Sequence, residues 1–199
     1  MDSGDKPMNQ HKVCAGVAPV VVEFCKLCGW AYETWLNHRE LFDDNARADK
    51  LWQSWAGDTL ARLSVISQEY SLLQVAKLHD SAVVSGKITL SIDYVVNYGA
   101  WSAPVRSRLE ALQIKLNGFG SQLRNARNKS LSHNDLAAVV LGVPLGAFAK
   151  GEDEAYFQTL QELVNIVHGE VVGGPWPFDS LVKNDVAAFL AVLNRERDA

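Results

Sequence analysis

The chain has 199 residues, 48% of them hydrophobic and 21% charged, with a net charge of −4. That length and apolar content suit one compact domain with a sizeable core. The acidic balance argues against a protein that coats nucleic acid over its whole surface, and no run approaches the roughly 18 apolar residues of a membrane span.

Residues 1–14 are polar, contain Gly4 and Pro7, and are expected to form a flexible N-terminal tail ahead of a single helical domain over 15–199. The apolar run from Val17 to Val22 has some features of a signal sequence. Lys12 is the only lysine or arginine in the ten before it, however, and Glu23 and Lys26 interrupt it at once. A core helix in a cytoplasmic protein is the expectation. From Pro19 to Glu40 the pattern is helical, with Val21, Phe24, Cys28, Trp35 and Leu36 on an apolar side and Pro19 suited to a first turn. Cys25-x-x-Cys28 falls inside this pattern. With Cys14 the count is odd, and only His11 adds a nearby ligand, so the thiols read as small core residues rather than a zinc or redox site. Asp43-Asp44-Asn45 breaks the helix.

A second helix is expected from Ala46 to His79. There Trp52, Trp55, Leu63, Ile66, Tyr70 and Leu73 recur in three- and four-residue steps as a core-facing stripe, with Thr59 filling the gap. It ends near Asp80, and Ser85-Gly86 forms a turn. Ile88 to Tyr98 favours a strand by composition and a helix by spacing. No other stretch offers a convincing partner strand, so a short helix is expected. Ser102 then offers an N-cap, with Pro104 inside the first turn. Val105, Leu109, Leu112, Leu116, Phe119 and Leu123 step by 4, 3, 4, 3 and 4, the clearest helical signal in the chain. Gly118 and Gly120 interrupt it and mark either a close backbone approach or a kink.

Leu136 to Lys150, with Gly142, Pro144 and Gly146, reads as an ordered loop. Glu152 to Val172 is a helix with Phe157, Leu160, Val164 and Val167 as its face, stopped by Gly173-Gly174-Pro175-Trp176-Pro177. Asp179 or Ser180 caps a last helix from Leu181 to Arg195, with Val182, Val186, Phe189 and Val192 or Leu193 inside. The sum is an all-α, single-domain bundle of five to six helices.

No phosphate loop, nucleophile elbow or His-Glu-x-x-His motif occurs, and no cofactor or metal is expected. The acidic groups at Asp43/Asp44 and at Glu152, Asp153 and Glu154 lie at helix ends, where solvation and the helix dipole account for them. His79 and His168 suit helix C-termini, His11 lies in the tail and His38 in a polar helix end. Charge is unevenly spread. Residues 101–133 hold six basic residues against the single acid Glu110, so this segment carries +5 and, the whole chain being −4, the remainder carries −9. A local basic element can contact phosphate, although the same charges also suit a solvated helix face.

Within that segment, Arg127-Asn128-Lys129-Ser130-Leu131-Ser132-His133 is the most chemically suggestive arrangement. Cleaving RNA without a metal needs a base for the 2′-hydroxyl proton, an acid for the leaving oxygen and positive charge on the phosphorane. His133 can act as base or acid near neutral pH. Arg127 supplies planar, always-charged donors that match phosphate oxygens, and Asn128 can orient either partner. His133 also continues the stripe from Leu123 through Ala126 and Ser130, so it could face an interface that tunes its pKa. On an ideal helix Arg127 and His133 lie about 120° apart, so they meet at one phosphate only through a helix break or a second subunit. The plainer alternative is an arginine in solvent and a histidine capping a helix end.

These residues resemble the HEPN superfamily, small helical domains found in RNA-cleaving toxins and antiviral systems. Its hallmark is Arg, usually a polar residue, and then His after four to six intervening positions. Arg127-Asn128-x4-His133 fits, with five intervening residues. LRNARNKSLSHND, the Gly/Pro-rich loop after it and the helix YFQTLQELVNIVHGEVVG resemble the abortive-infection, AbiU-type branch. Leu78-His79-Asp80 before a turn and a short helix does so too, and the likeness spans roughly residues 20–175. The resemblance implies a HEPN-like bundle that dimerises so that two Arg/His pairs line one cleft. It implies a metal-independent endoribonuclease that leaves a 2′,3′-cyclic phosphate, in a toxin or antiviral defence protein. Carried over by position, Arg127 would stabilise the phosphate, His133 would be the general base or acid, and Asn128 would orient them. Arg124 and Lys129 join as RNA-binding residues on the strength of the local charge. The implied partners are an RNA substrate, a second copy of the chain and, for a toxin, an antitoxin. The alternative is a non-catalytic HEPN-fold module that binds RNA or a protein, with the Trp-rich second helix serving such contacts, because fold does not dictate activity. A small-molecule enzyme of unrelated mechanism has no motif in its favour.

Overall fold

The computed structural model describes residues 16–43, 57–126 and 149–197, and among them six α-helices and one short hairpin carry the fold. Helix α1 spans Ala18–His38, with Pro19 in its first turn, where a missing backbone N–H costs nothing. Val21, Phe24, Cys25, Cys28 and Ala31 are completely buried on one side of it. Burial pushes the Cys25 thiol up to about 12 and the Cys28 thiol well above its ordinary value. Both are free, protonated core residues. A single π-helical turn, Arg39–Asp43, extends α1.

Helix α2, Gly57–Leu78, packs extensively along α1 and also touches the long fourth helix introduced below. The residues it buries are Ser71, Gln74, Val75, Ala76 and Leu78. This corrects the expected stripe. Leu63 is 47%, Ile66 61% and Tyr70 45% exposed, while Trp52 and Trp55 lie outside the described residues. Helix α6, Val182–Arg197, corrects its expectation in the same way: Val186 and Leu190 are buried, but Phe189 and Val192 are more than half exposed. The two stripes face each other. Leu60 on α2, Leu41 on the π turn and Val182, Val186, Leu190 and Leu193 on α6 form a satellite cluster apart from the main core. Helical spacing identifies a continuous apolar side but not how much of it a neighbour covers, and here an open apolar groove of about 400 Å³ remains between them.

Val83–Val84 and Lys87–Ile88 form an antiparallel hairpin in register Val83↔Ile88. Its two-residue turn places Ser85 and Gly86 at φ 52° and 78°, the left-handed geometry that matches strand twist. The helix expected from Ile88 therefore begins only at Ile92. Helix α3 is Ile92–Tyr98, capped by Ser91, whose hydroxyl accepts from the Tyr94 backbone N–H at 3.3 Å. The partner strand was the dipeptide just before the turn, too short to register as a strand pattern.

Helix α4, Ala103–Ala126, buries Leu109, Leu112, Leu116 and Leu123 and runs unbroken through both glycines. Gly118 faces open space, whereas a Cβ at Gly120 would overlap the His79 imidazole. Gly120 thus marks a close approach rather than a kink. His79 Nδ1 lies 3.2 Å from Asn117 Oδ1, an acceptor, so Nδ1 carries the proton and Nε2 accepts from the Tyr156 hydroxyl at 2.9 Å.

Helix α5, Glu152–Val171, packs against α1 and α4 and sinks Leu160, Leu163, Val164 and Val167 into the centre of the core. At its end the His168 carbonyl accepts from the N–H groups of Val172 and Gly173, and His168 Nδ1 lies 2.9 Å from the Gly174 carbonyl oxygen. The stop segment is then strapped back along α5. Gln161 donates to the Trp176 carbonyl at 2.6 Å and accepts from the Phe178 N–H at 2.7 Å, and Asn165 accepts from the Trp176 N–H. Asp179 accepts from the Leu181 N–H at 2.7 Å just before α6. Among the described residues no helix is long and apolar enough to cross a membrane.

Candidate functional site

The expected catalytic residues Arg127, Asn128 and His133 and the expected RNA-binding Lys129 lie outside the described residues, as do residues 136–148 of the expected loop. Arg124 stands in the last turn of α4. The bonded neighbour of Arg127 is Ala126, the last described residue of α4, so the surroundings of that part of the helix are where a site built on the motif must start.

Those surroundings contain a cleft of about 480 Å³. Four helices converge on it: the C-terminal end of α1, the C-terminal half of α2, α4 through Phe119 and Leu123, and the first two turns of α5. Ala149, Lys150 and Gly151, the residues just before α5, border it too. Gly151 takes φ 89°, a left-handed N-cap conformation that suits glycine.

The inner wall is aromatic. Trp35 and Phe157 pack with ring centroids 4.5 Å apart, and the Trp35 indole N–H donates to Asp153 at 3.0 Å. The Arg39 guanidinium stands 5.4 Å from the Trp35 ring centroid and pairs with Glu154. Glu152 accepts from the Ala149 N–H, so each of the three acids of the first turn holds a partner at the helix end.

His38 is the residue that the sequence misplaces. Read as part of a polar helix end, it is only 5% exposed and lines the cleft. Among the described residues neither ring nitrogen makes a hydrogen bond. Its nearest charged neighbour is Asp43, with Nε2 3.6 Å from Oδ2, and its ring packs on Phe42. Burial lowers its pKa, and the Asp43 carboxylate only partly opposes that, so the imidazole favours the neutral form. A signal was there to be read. His38 stands three and seven residues beyond Trp35 and Ala31, and so extends the buried stripe of α1.

The basic segment is only partly available to a ligand. Arg106 donates to the Gly99 carbonyl at 2.8 Å, and Arg108 stands 3.6 Å from Glu162, while Lys115 is exposed. Among the described residues no three His, Cys, Asp or Glu side chains are arranged to hold a metal ion.

The model of the HEPN AbiU2 family, described as AbiU2, matches residues 17–190. No curated protein and no solved structure matches the chain.

Proposed function

The chain belongs to the HEPN AbiU2 family, one associated with abortive infection, and we propose that it is a metal-independent endoribonuclease acting at Arg127 and His133. The observation that carries this reading is positional. Arg127-Asn128-x4-His133 lies inside the matched span and follows directly on α4, whose last turns border a cleft.

The chemistry needs little. His133 takes the proton of a ribose 2′-hydroxyl, and that oxygen attacks the adjacent phosphorus. The bond from phosphorus to the 5′-oxygen breaks, and that oxygen leaves as a hydroxyl once protonated. The products are a 2′,3′-cyclic phosphate and a 5′-hydroxyl end. Arg127 stabilises the charge that builds on the non-bridging oxygens, Asn128 orients the pair, and Arg124 and Lys129 hold flanking phosphates. One histidine cannot be base and acid in the same step unless it shuttles the proton, so a homodimer supplying a second Arg/His pair completes the site. An antitoxin would be the partner that holds such an activity in check.

Arg127→Ala and His133→Ala each reduce cleavage of RNA by the purified protein by about 10²-fold or more, with helical content unchanged by circular dichroism. Undiminished cleavage in either variant removes the catalytic assignment. A second reading, a non-catalytic interaction module, is favoured by the apolar groove between α2 and α6. It prevails if diverse RNAs remain intact and a stoichiometric protein complex forms instead.

A further inference from the structure

We propose that the cleft between α1, α2, α4 and α5 is a nucleobase-binding pocket, with His38 reading the base edge and the aromatic wall formed by Trp35 and Phe157 taking its face. The inference rests on the RNA-directed reading for its setting, but on the cleft's own chemistry for its ligand.

The depth profile of the cleft carries it. The buried residues are His38, Ser71, Val75, Leu123 and Phe157, with Trp35 half-buried beside them. The charged residues Arg39, Asp43, Lys150 and Glu154 are more exposed and stand at the mouth. A ligand that suits this gradient is flat, unsaturated and uncharged at its inner end, and tolerates charge at its outer end. A base attached to a sugar and phosphate has that form.

His38 narrows the choice. A neutral imidazole offers one N–H donor and one acceptor lone pair, and here both are unmet among the described residues. Leaving buried polar atoms unmet is costly, and a purely apolar ligand would leave both nitrogens unanswered. An anion would need a buried cation there, which the burial of the ring disfavours. The edge of a base carries adjacent donors and acceptors that can answer both nitrogens. The rings of Trp35, Phe119 and Phe157 supply surface on which a base can lie, as unstacked bases do in single-stranded RNA recognition. The cavity of about 480 Å³ falls inside the range of small-molecule sites.

The test uses the full chain and two ligand sources. Adenosine, guanosine, cytidine and uridine are titrated into wild type, His38→Phe and Ser71→Leu, following the Trp35 indole resonance and ligand signals by NMR. At least one nucleoside binds wild type, and its affinity falls about tenfold in His38→Phe and more in Ser71→Leu, which fills the pocket. In parallel, cleavage positions are mapped on mixed-sequence RNA. Wild type shows a base preference next to the cut that His38→Phe flattens, while His133→Ala abolishes cutting everywhere yet keeps nucleoside affinity. Absence of binding by all four nucleosides, or equal binding to wild type and both variants, overturns the pocket. Binding that depends on His38 in a protein that cuts no RNA keeps the pocket, assigns it to free nucleosides or nucleotides, and overturns the ribonuclease reading alone.

Discussion

His38 illustrates how a single side chain converts burial into pH dependence. In the unfolded chain a histidine takes up a proton near its ordinary value of 6.5, whereas in the fold burial holds that value lower. The unfolded state therefore binds more protons as pH falls below about 6.5, and folding stability falls with it until the folded group also titrates. His38→Phe removes this component. The variant is expected to be at least as stable as wild type at pH 7, because it replaces two unmet polar atoms with carbon, and to lose less of its melting temperature between pH 7 and 5. Thermal melts at the two pH values decide it. Gly118 and Gly120 offer a second comparison at this scale. Gly118→Ala meets open space and stabilises by up to about 1 kcal/mol through helix propensity. Gly120→Ala forces a methyl group into the His79 ring and destabilises in spite of that gain. Urea unfolding of the two variants shows opposite signs, and equal shifts would contradict the His79 contact.

At the scale of elements, α1, α4 and α5 were legible because each buries a full stripe, and a full stripe leaves a periodic signature. The hairpin was not, since strands of two residues are too short to carry a period. The stripes of α2 and α6 were legible as helices but misread as core. Leu63, Ile66 and Phe189 are apolar at helical spacing, yet they border a groove rather than sit beneath a neighbour. The difference has a measurable cost. Ile66→Lys is expected to change stability by no more than about 0.5 kcal/mol, whereas Leu160→Ala, at the centre of the core, costs about 2–5 kcal/mol. A large loss in Ile66→Lys would mean that the groove is covered in solution. The same comparison by size-exclusion chromatography tells whether that cover is a second copy of the chain.

At the scale of the molecule, the sequence and the fold agree on an all-α bundle within one family, and the motif residues follow on its longest helix. The proposed pair, Arg127 and His133, was suggested by residue type, spacing and family resemblance, which survive without a structure. For His38 the helical spacing on α1 signals only burial; its place in a cleft depends on what α2, α4 and α5 put around it, which no local pattern on α1 carries. The contact between His79 and Gly120 has a further consequence, for where α4 can sit along its axis. The imidazole is bound from two sides, by Asn117 on α4 and by Tyr156 on α5, and it occupies the space a side chain at Gly120 would need. Sliding α4 by one turn, about 5.4 Å, would bring Leu116 or Arg124 to that point, and neither leaves room for the ring. The helix therefore behaves like a shaft with a single notch. It has one axial setting, and that setting holds Phe119 and Leu123 against the cleft.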